Sequence, residues 1–386
     1  MAWQLIGHGK FPLAPAMEKF VDSAQARPSD PRFHAVLGRA LANAGRYGEA
    51  EPHFERALSL GGNGFRDWSG LAKAILHVHG AKALLRFCDE RWHGSREWSW
   101  HYLRAIALER GRRHDEAFDA FIRAIELGDP QYLAVRRLFT VAARNGDGAV
   151  LLKACEALPK AAREASSARA YRALAHSLMG RSDEAAASVD PERATMRFAF
   201  TPPAEFGDLD AFHAGLVARL LADLPPAARD AQAVANYKMS PEPGSELAVL
   251  HQFVRRSYAD YLASVGERSG VPGLPQTLDG TQLGCGAFVV RRQGRNGQHI
   301  HPGALLTSVY HVQVPQVAQS GAGDLILGVC DEIAPGHSAC WGQRRIKAQP
   351  GMLTIFPAHF FHDVDPTGSD MLRIAIVSDL SVPGPR

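Results

Sequence analysis

Hydrophobic and polar positions change period along the chain. Up to about residue 190, apolar residues recur at helical spacing in a background rich in Ala, Leu, Arg and Glu. Leu37, Gly38, Leu41, Ala50, Phe54 and Ala57 form one unit, with a small residue where two helices would cross. Ala83 and Phe87 lie 33 residues beyond Ala50 and Phe54; Ala117, Phe121 and Ala124 lie 34 beyond Ala83, Phe87 and Glu90. From about residue 198 the texture shifts to Pro, Gly, Val and β-branched runs. Pro191 and Thr201-Pro202-Pro203 punctuate the change, because proline and the residue before it are restricted away from helix. The reading is an N-terminal segment over 1–30, helical repeats over 31–192 and a second domain over 193–386. In that second domain Leu209–Leu224 and Leu247–Val265 predict helices. Ala287–Val290, Leu305–Val314, Leu325–Leu327, Leu353–Phe356 and Leu372–Val377 predict short strands separated by Gly and Pro, the pattern of a β-sandwich or barrel.

Length and composition narrow the classes. The 386 residues suggest two or three domains at roughly 100–200 residues each. A net charge of +3 is too small and too dispersed to point to nucleic acid as partner. No apolar run is long enough to predict a membrane helix, and Met1–Pro15 lacks the layout of a secretory signal, so a cytoplasmic protein is expected. The five cysteines, Cys88, Cys155, Cys285, Cys330 and Cys340, form no CxxC pair. They indicate neither a disulfide framework nor a thiolate zinc site, and for Cys285, Cys330 and Cys340 buried inert thiols are the expectation. There is no nucleophile elbow, and the glycines of Gly294-Arg295-Asn296-Gly297 lack the strand–loop–helix context of a phosphate cradle.

The repeat carries a family resemblance. A period near 34 with small and large residues alternating on the second helix resembles the tetratricopeptide (TPR) repeat. The segments Gly45-Arg46-Tyr47-Gly48-Glu49-Ala50 and Gly111-Arg112-Arg113-His114-Asp115-Glu116-Ala117 match its turn and helix start. Gly146-Asp147-Gly148-Ala149 and Gly180-Arg181-Ser182-Asp183-Glu184-Ala185 resemble degenerate copies. Such units stack because each helix pair is too small to bury its own apolar face. The resemblance implies a concave surface that holds a peptide or protein; a packing scaffold is the rival. Trp92, Trp98, Trp100 and Tyr102 are expected in the inter-repeat core.

The chemistry sits in the last hundred residues. His299-Ile300-His301 is an HxH pair, and on a strand, alternation would put both imidazoles on one face. His362 follows a predicted strand, and Arg373 lies eleven residues later inside another. Neutral imidazole suits iron, zinc, copper or nickel. The segments Gln298–Gly303, Leu306–Val312, Gly323-Asp324-Leu325, Pro350–Pro357 and His362 through Arg373 resemble the bacterial 2OG-Fe(II) oxygenase family that is often joined to TPR repeats. That resemblance implies a multidomain α plus β protein: a TPR-like α-solenoid, then a double-stranded β-helix, or jelly-roll, with flanking helices. It implies His299, His301 and His362 as metal ligands and Arg373 as partner of the 2-oxoglutarate C5 carboxylate; Tyr310 is a candidate cofactor-side residue that could equally point into the core. The expected cofactors are Fe(II), 2-oxoglutarate and O2. No catalytic side chain is expected beyond the metal and cosubstrate ligands.

Three positions depart from that family's pattern. His301 stands where a carboxylate is common, His311 where Tyr is common, and Ala375 where many relatives have Ser. His311 and His359 are alternative ligands, Asp324 is a candidate for the missing carboxylate, and Asp363 and Asp365 read as turn residues. The expected activity is hydroxylation of a peptide, protein side chain or peptide-like metabolite recruited by the TPR region. Two rivals stay open: a non-enzymatic TPR adaptor with a degenerate jelly-roll, and a tri-histidine, cupin-like metal dioxygenase that uses no 2-oxoglutarate. Oligomeric state stays open too, with a homodimer through jelly-roll or TPR edges as one option.

Overall fold

The computed structural model describes residues 21–22, 26–62, 64–92, 96–129, 133–223, 235–238, 242–265, 274–316 and 321–382. The chain forms two compact units, Met1–Leu138 and Phe139–Arg386.

The first unit is a stack of helix pairs: α1 (Pro31–Asn43), α2 (Tyr47–Ser59), α3 (Phe65–His79), α4 (Ala81–Trp92), α5 (Trp98–Arg110) and α6 (His114–Glu126), with the start of α7 (Leu133–Arg144). Asp30 caps α1 by accepting from the Arg32 amide, and Pro31 occupies the first turn, where its missing N–H costs nothing. The small residues of the repeat have a visible purpose. A Cβ on Gly38 would lie 3.2 Å from the Phe54 ring, and one on Gly70 only 2.4 Å from it. Phe54, fully buried, therefore fills a slot that only glycines leave open. The first repeat turn places Gly45 at φ 77°, but in the second the left-handed position falls on Arg112 (φ 59°), one residue after Gly111. Trp100 is buried in this unit's core with Tyr102 packed against it, and its ring meets Trp68 edge-on at 5.5 Å. Trp98 contacts Tyr102, whereas the side chain of Trp92 lies outside the described residues.

The second unit begins within α7. It holds α8 (Gly148–Ala157), α9 (Lys160–Arg163), α10 (Ser166–Leu178) and α11 (Ser182–Ser188), then β1 (Met196–Ala199) and α12 (Leu209–Asp223). There follow β2 (Ala235–Lys238), α13 (Glu246–Val265), β3 (Gln282–Val290), β4 (Leu306–Gln313), β5 (Leu325–Leu327), β6 (Arg344–Ile346), β7 (Met352–Pro357), β8 (His362–Val364) and β9 (Arg373–Ser381). The strands make two antiparallel sheets, ordered β1-β7-β4-β9-β3-β2 and β6-β5-β8, the jelly-roll arrangement. Helices α10 and α11 are bonded into this unit. Ser166 Oγ donates to the Ala304 carbonyl, Ser177 Oγ meets His337 Nε2 at 2.9 Å, and His359 Nε2 bonds the Ser188 carbonyl at 2.8 Å.

Strand alternation gives the larger sheet two unlike faces. Leu306, Tyr310, Val312, Leu353, Ile355, Ile374, Ile376 and Leu380 point to one side. There they pack with Phe212, Leu216, Leu220, Leu250, Val254 and Tyr258 of α12 and α13 into the main core. The opposite face carries Thr307, His311, Thr354, Arg373 and Asp379 by register. Among the described residues, no helix is long and apolar enough to cross a membrane.

Candidate metal centre

The HxH segment is not a ladder strand. His299 makes an isolated antiparallel bridge to His362, each amide donating to the other's carbonyl at 3.0 Å, and the His301 amide donates to the Ala358 carbonyl at 3.0 Å. These backbone bonds hold two segments distant in sequence side by side. One candidate ligand atom from each of His299, His301 and His362 lies within 4.8 Å of the others. Their ring centroids are 4.2 to 5.2 Å apart.

The rings are oriented by their Nδ1 atoms. His299 Nδ1 meets the Gly297 carbonyl at 2.8 Å, His362 Nδ1 the Phe360 carbonyl at 2.9 Å, and His301 Nδ1 the Asp379 Oδ1 at 2.6 Å. All three partners are acceptors, so each Nδ1 carries the proton and each Nε2 presents a lone pair. Asn296 Nδ2 donates to His299 Nε2 at 3.0 Å, which agrees with that tautomer. Burial lowers His299 to about 4 and drives His362 well below the usual imidazole range, with the neighbouring rings adding to the effect. Imidazole nitrogens that keep a lone pair suit a divalent first-row metal.

The loop before the triad is strapped down. Arg295 pairs with both Asp363 and Glu332, Gln298 Nε2 donates to Asp331 at 2.6 Å, and the Glu332 amide donates to Gln298 Oε1 at 2.8 Å. Asp363 is therefore more than a turn residue: it anchors the strap from the residue next to His362.

Further along the same sheet face lies a group of buried polar atoms. Arg373 is 2% exposed, and its Nε and Nη2 find no hydrogen-bond partner among the described residues. Burial pulls this guanidinium down to about 10, which leaves it charged at neutral pH. Both ring nitrogens of His311 and the Thr354 hydroxyl are likewise without a partner among the described residues. Burial, reinforced by the positive Arg373 and Arg197, keeps His311 neutral. A buried cation with free donors, near a neutral imidazole and on the same face as a buried hydroxyl, fits a carboxylate; leaving such groups unpaired is costly.

Other expectations are corrected by placement. Tyr310 is not beside this group. Its even register turns it to the helix-covered face, where its hydroxyl meets His213 Nε2 at 2.8 Å. His359 points toward α11 instead of the triad, and burial lowers it to about 4. Asp324 Oδ1 accepts from the Ala348 amide at 3.0 Å and is not one of the clustered ligands. Of Cys285, Cys330 and Cys340, expected to be buried, Cys330 is buried and pushed up to about 11, whereas Cys285 is half-buried and Cys340 is exposed. Asp379 and Thr354 escaped the sequence reading. Alternation from Arg373 along β9 and from Leu353 along β7 was the signal that could have found them.

Residues 285–379 match the family model described as "Putative 2OG-Fe(II) oxygenase", and residues 2–64 and 80–132 match a tetratricopeptide repeat model. The TPR match thus lies in the first part of the chain and the 2OG-Fe(II) oxygenase match in the last hundred residues. No curated protein matches it. Similar solved structures include a Pseudomonas putida prolyl-4-hydroxylase, at 15% identity over 52% of this chain and 100% of that one, with a TM-score of 0.35. A Trichoplax adhaerens prolyl hydroxylase in complex with a hypoxia inducible factor peptide fragment shares 13% identity over 53% and 92% of the two chains, with a TM-score of 0.35. The TPR protein YrrB shares 14% identity over 45% and 93%, with a TM-score of 0.30.

Proposed function

We propose that this protein is an Fe(II)- and 2-oxoglutarate-dependent dioxygenase that hydroxylates a peptide, a protein side chain or a peptide-like metabolite recruited by its TPR region. The observation that carries the cosubstrate is Arg373: a buried guanidinium with two unpartnered nitrogens, on the sheet face that also carries Asp379, the partner of His301. When bound, Fe(II) with 2-oxoglutarate and O2 supplies the oxidising power that places oxygen in a C–H bond while the keto acid becomes succinate and CO2.

The side chains have separable tasks in this reading. His299, His301 and His362 would hold the metal through Nε2, their rings already turned by Gly297, Asp379 and Phe360. Arg373 would bind the C5 carboxylate through its planar fork. His311 and Thr354 would complete that cradle in place of the hydroxyl that Ala375 cannot supply. Phe356 packs edge-on against His362, with ring centroids 5.0 Å apart, and presents an apolar surface to that side of the ring. The TPR match supports a peptide or protein as the recruited partner.

Anaerobic titration of Fe(II) and then 2-oxoglutarate tests the reading. A weak visible charge-transfer band, followed by succinate on aeration, is expected. No band and no succinate would sink it. Turnover that needs no 2-oxoglutarate and survives Arg373→Ala would favour the tri-histidine alternative, which the lack of a carboxylate in the ligand cluster keeps in view.

A further inference from the structure

The three candidate ligands are all imidazoles, but their outer partners differ in charge. His299 and His362 lean on backbone carbonyls, whereas His301 leans on a carboxylate at 2.6 Å. His301 is also the residue that stands where a carboxylate ligand is common. Asp379 lies opposite Thr307 across β4 and β9, and the Thr307 hydroxyl reaches the same His301 Nδ1 at 3.3 Å. The imidazole is thus gripped from two strands of the rigid sheet. Among the described residues, no Lys or Arg pairs with Asp379, so its negative charge is not already neutralised by a fixed cation.

We infer that Asp379 supplies, through His301, the negative charge that the metal's own ligand set lacks; this rests on the metal reading above. With three neutral imidazoles, Fe(II) and the keto-acid dianion sum to zero. A carboxylate ligand would leave one negative charge. Asp379 restores that charge one imidazole away from the metal. It does so in two ways. It holds the proton on Nδ1, and it pulls that proton toward itself, which makes Nε2 the more basic donor. A backbone carbonyl does the first and does little of the second. Asp379 is therefore a positioning residue that tunes the metal through His301, and His301 is not an equivalent third imidazole.

The test uses the full-length protein without oxygen. Co(II) is titrated into wild type, D379N and D379E, with the visible d–d bands recorded beside the dissociation constant, and Fe(II) binding is measured in parallel. Asn keeps an oxygen that can accept from Nδ1 but removes the charge. D379N is expected to bind Co(II) about 10–100-fold more weakly, with shifted d–d bands, and D379E to recover most of the affinity. A wild-type constant and spectrum in D379N would overturn the inference while leaving the metal reading intact. A wild type that takes up neither metal would overturn both. A second comparison guards against a folding defect. In the H301D background the carboxylate is on the metal itself and the Nδ1 contact is gone, so adding D379N should change Co(II) affinity less than about 2-fold. An equal loss in both backgrounds would show that Asp379 acts only on the fold.

Discussion

The two faces of the six-stranded sheet obey opposite rules. On one, buried polar groups meet partners among aliphatic and aromatic side chains: the Tyr310 hydroxyl meets His213, and the Tyr258 hydroxyl donates to the Ser378 carbonyl at 2.7 Å. On the other, Arg373, His311 and Thr354 keep buried polar atoms without partners among the described residues. The strands are the same, and neighbouring residues of one strand serve both. The difference teaches that one face meets its polar groups within the fold, and that the other, under the proposed function, leaves groups for a ligand to meet. A stable core satisfies its polar groups, and a binding face leaves some of them waiting.

That contrast can be attacked from either side. The largest effect is expected from Arg373→Met. It should weaken 2-oxoglutarate binding by roughly 2–5 kcal/mol, about 30- to 5,000-fold, in anaerobic calorimetry. The ligand-free variant should melt no lower than wild type, because the change removes a buried, partly unpaired charge. A marked fall in its melting temperature would mean that the guanidinium serves the fold. Next comes Leu353→Ala on the apolar face. It should cost about 2–5 kcal/mol in denaturant unfolding of the ligand-free protein, and leave the 2-oxoglutarate dissociation constant unchanged.

A smaller effect follows from acidification. His359 is neutral in the fold and titrates near 4, against an ordinary value of 6.5. Between these values the unfolded chain binds the extra proton, so stability rises with pH across the window. The contribution is complete above about 6.5 and is lost as pH falls toward 4, with His311 and His213 acting in the same direction. Unfolding midpoints measured from pH 7 to 4 should fall, and His359→Asn should flatten the slope. The smallest expected effect is Tyr310→Phe. It leaves His213 Nε2 unpaired and should cost about 1–3 kcal/mol of stability, with no change in 2-oxoglutarate affinity. A weaker cosubstrate constant in this variant would return Tyr310 to the site.

Much of the architecture was legible in the order of residues. Strand alternation and Gly/Pro punctuation located β3, β4, β5, β7 and β9, and helical spacing located α12 and α13. The strands β1, β2, β6 and β8 were not read, being three or four residues long and without a clear apolar alternation. The candidate ligand set His299, His301 and His362 came from a motif, and strand alternation does not align it, because His299 makes only an isolated bridge to His362. A single bridge and three backbone bonds to the segment 358–362 do the aligning.

By itself, the sequence determined the repeat period, the glycines that seat Phe54, the period-2 runs and the residues able to bind a metal. These are local properties, set by side-chain size and chain periodicity. Only the tertiary structure decided which face each strand residue takes, because face depends on register, and a shift of one residue exchanges the two faces. Register turned Tyr310 into the core, put His311, Thr354 and Arg373 on the opposite face, and brought Asp379 to within 2.6 Å of His301, 78 residues away in the chain.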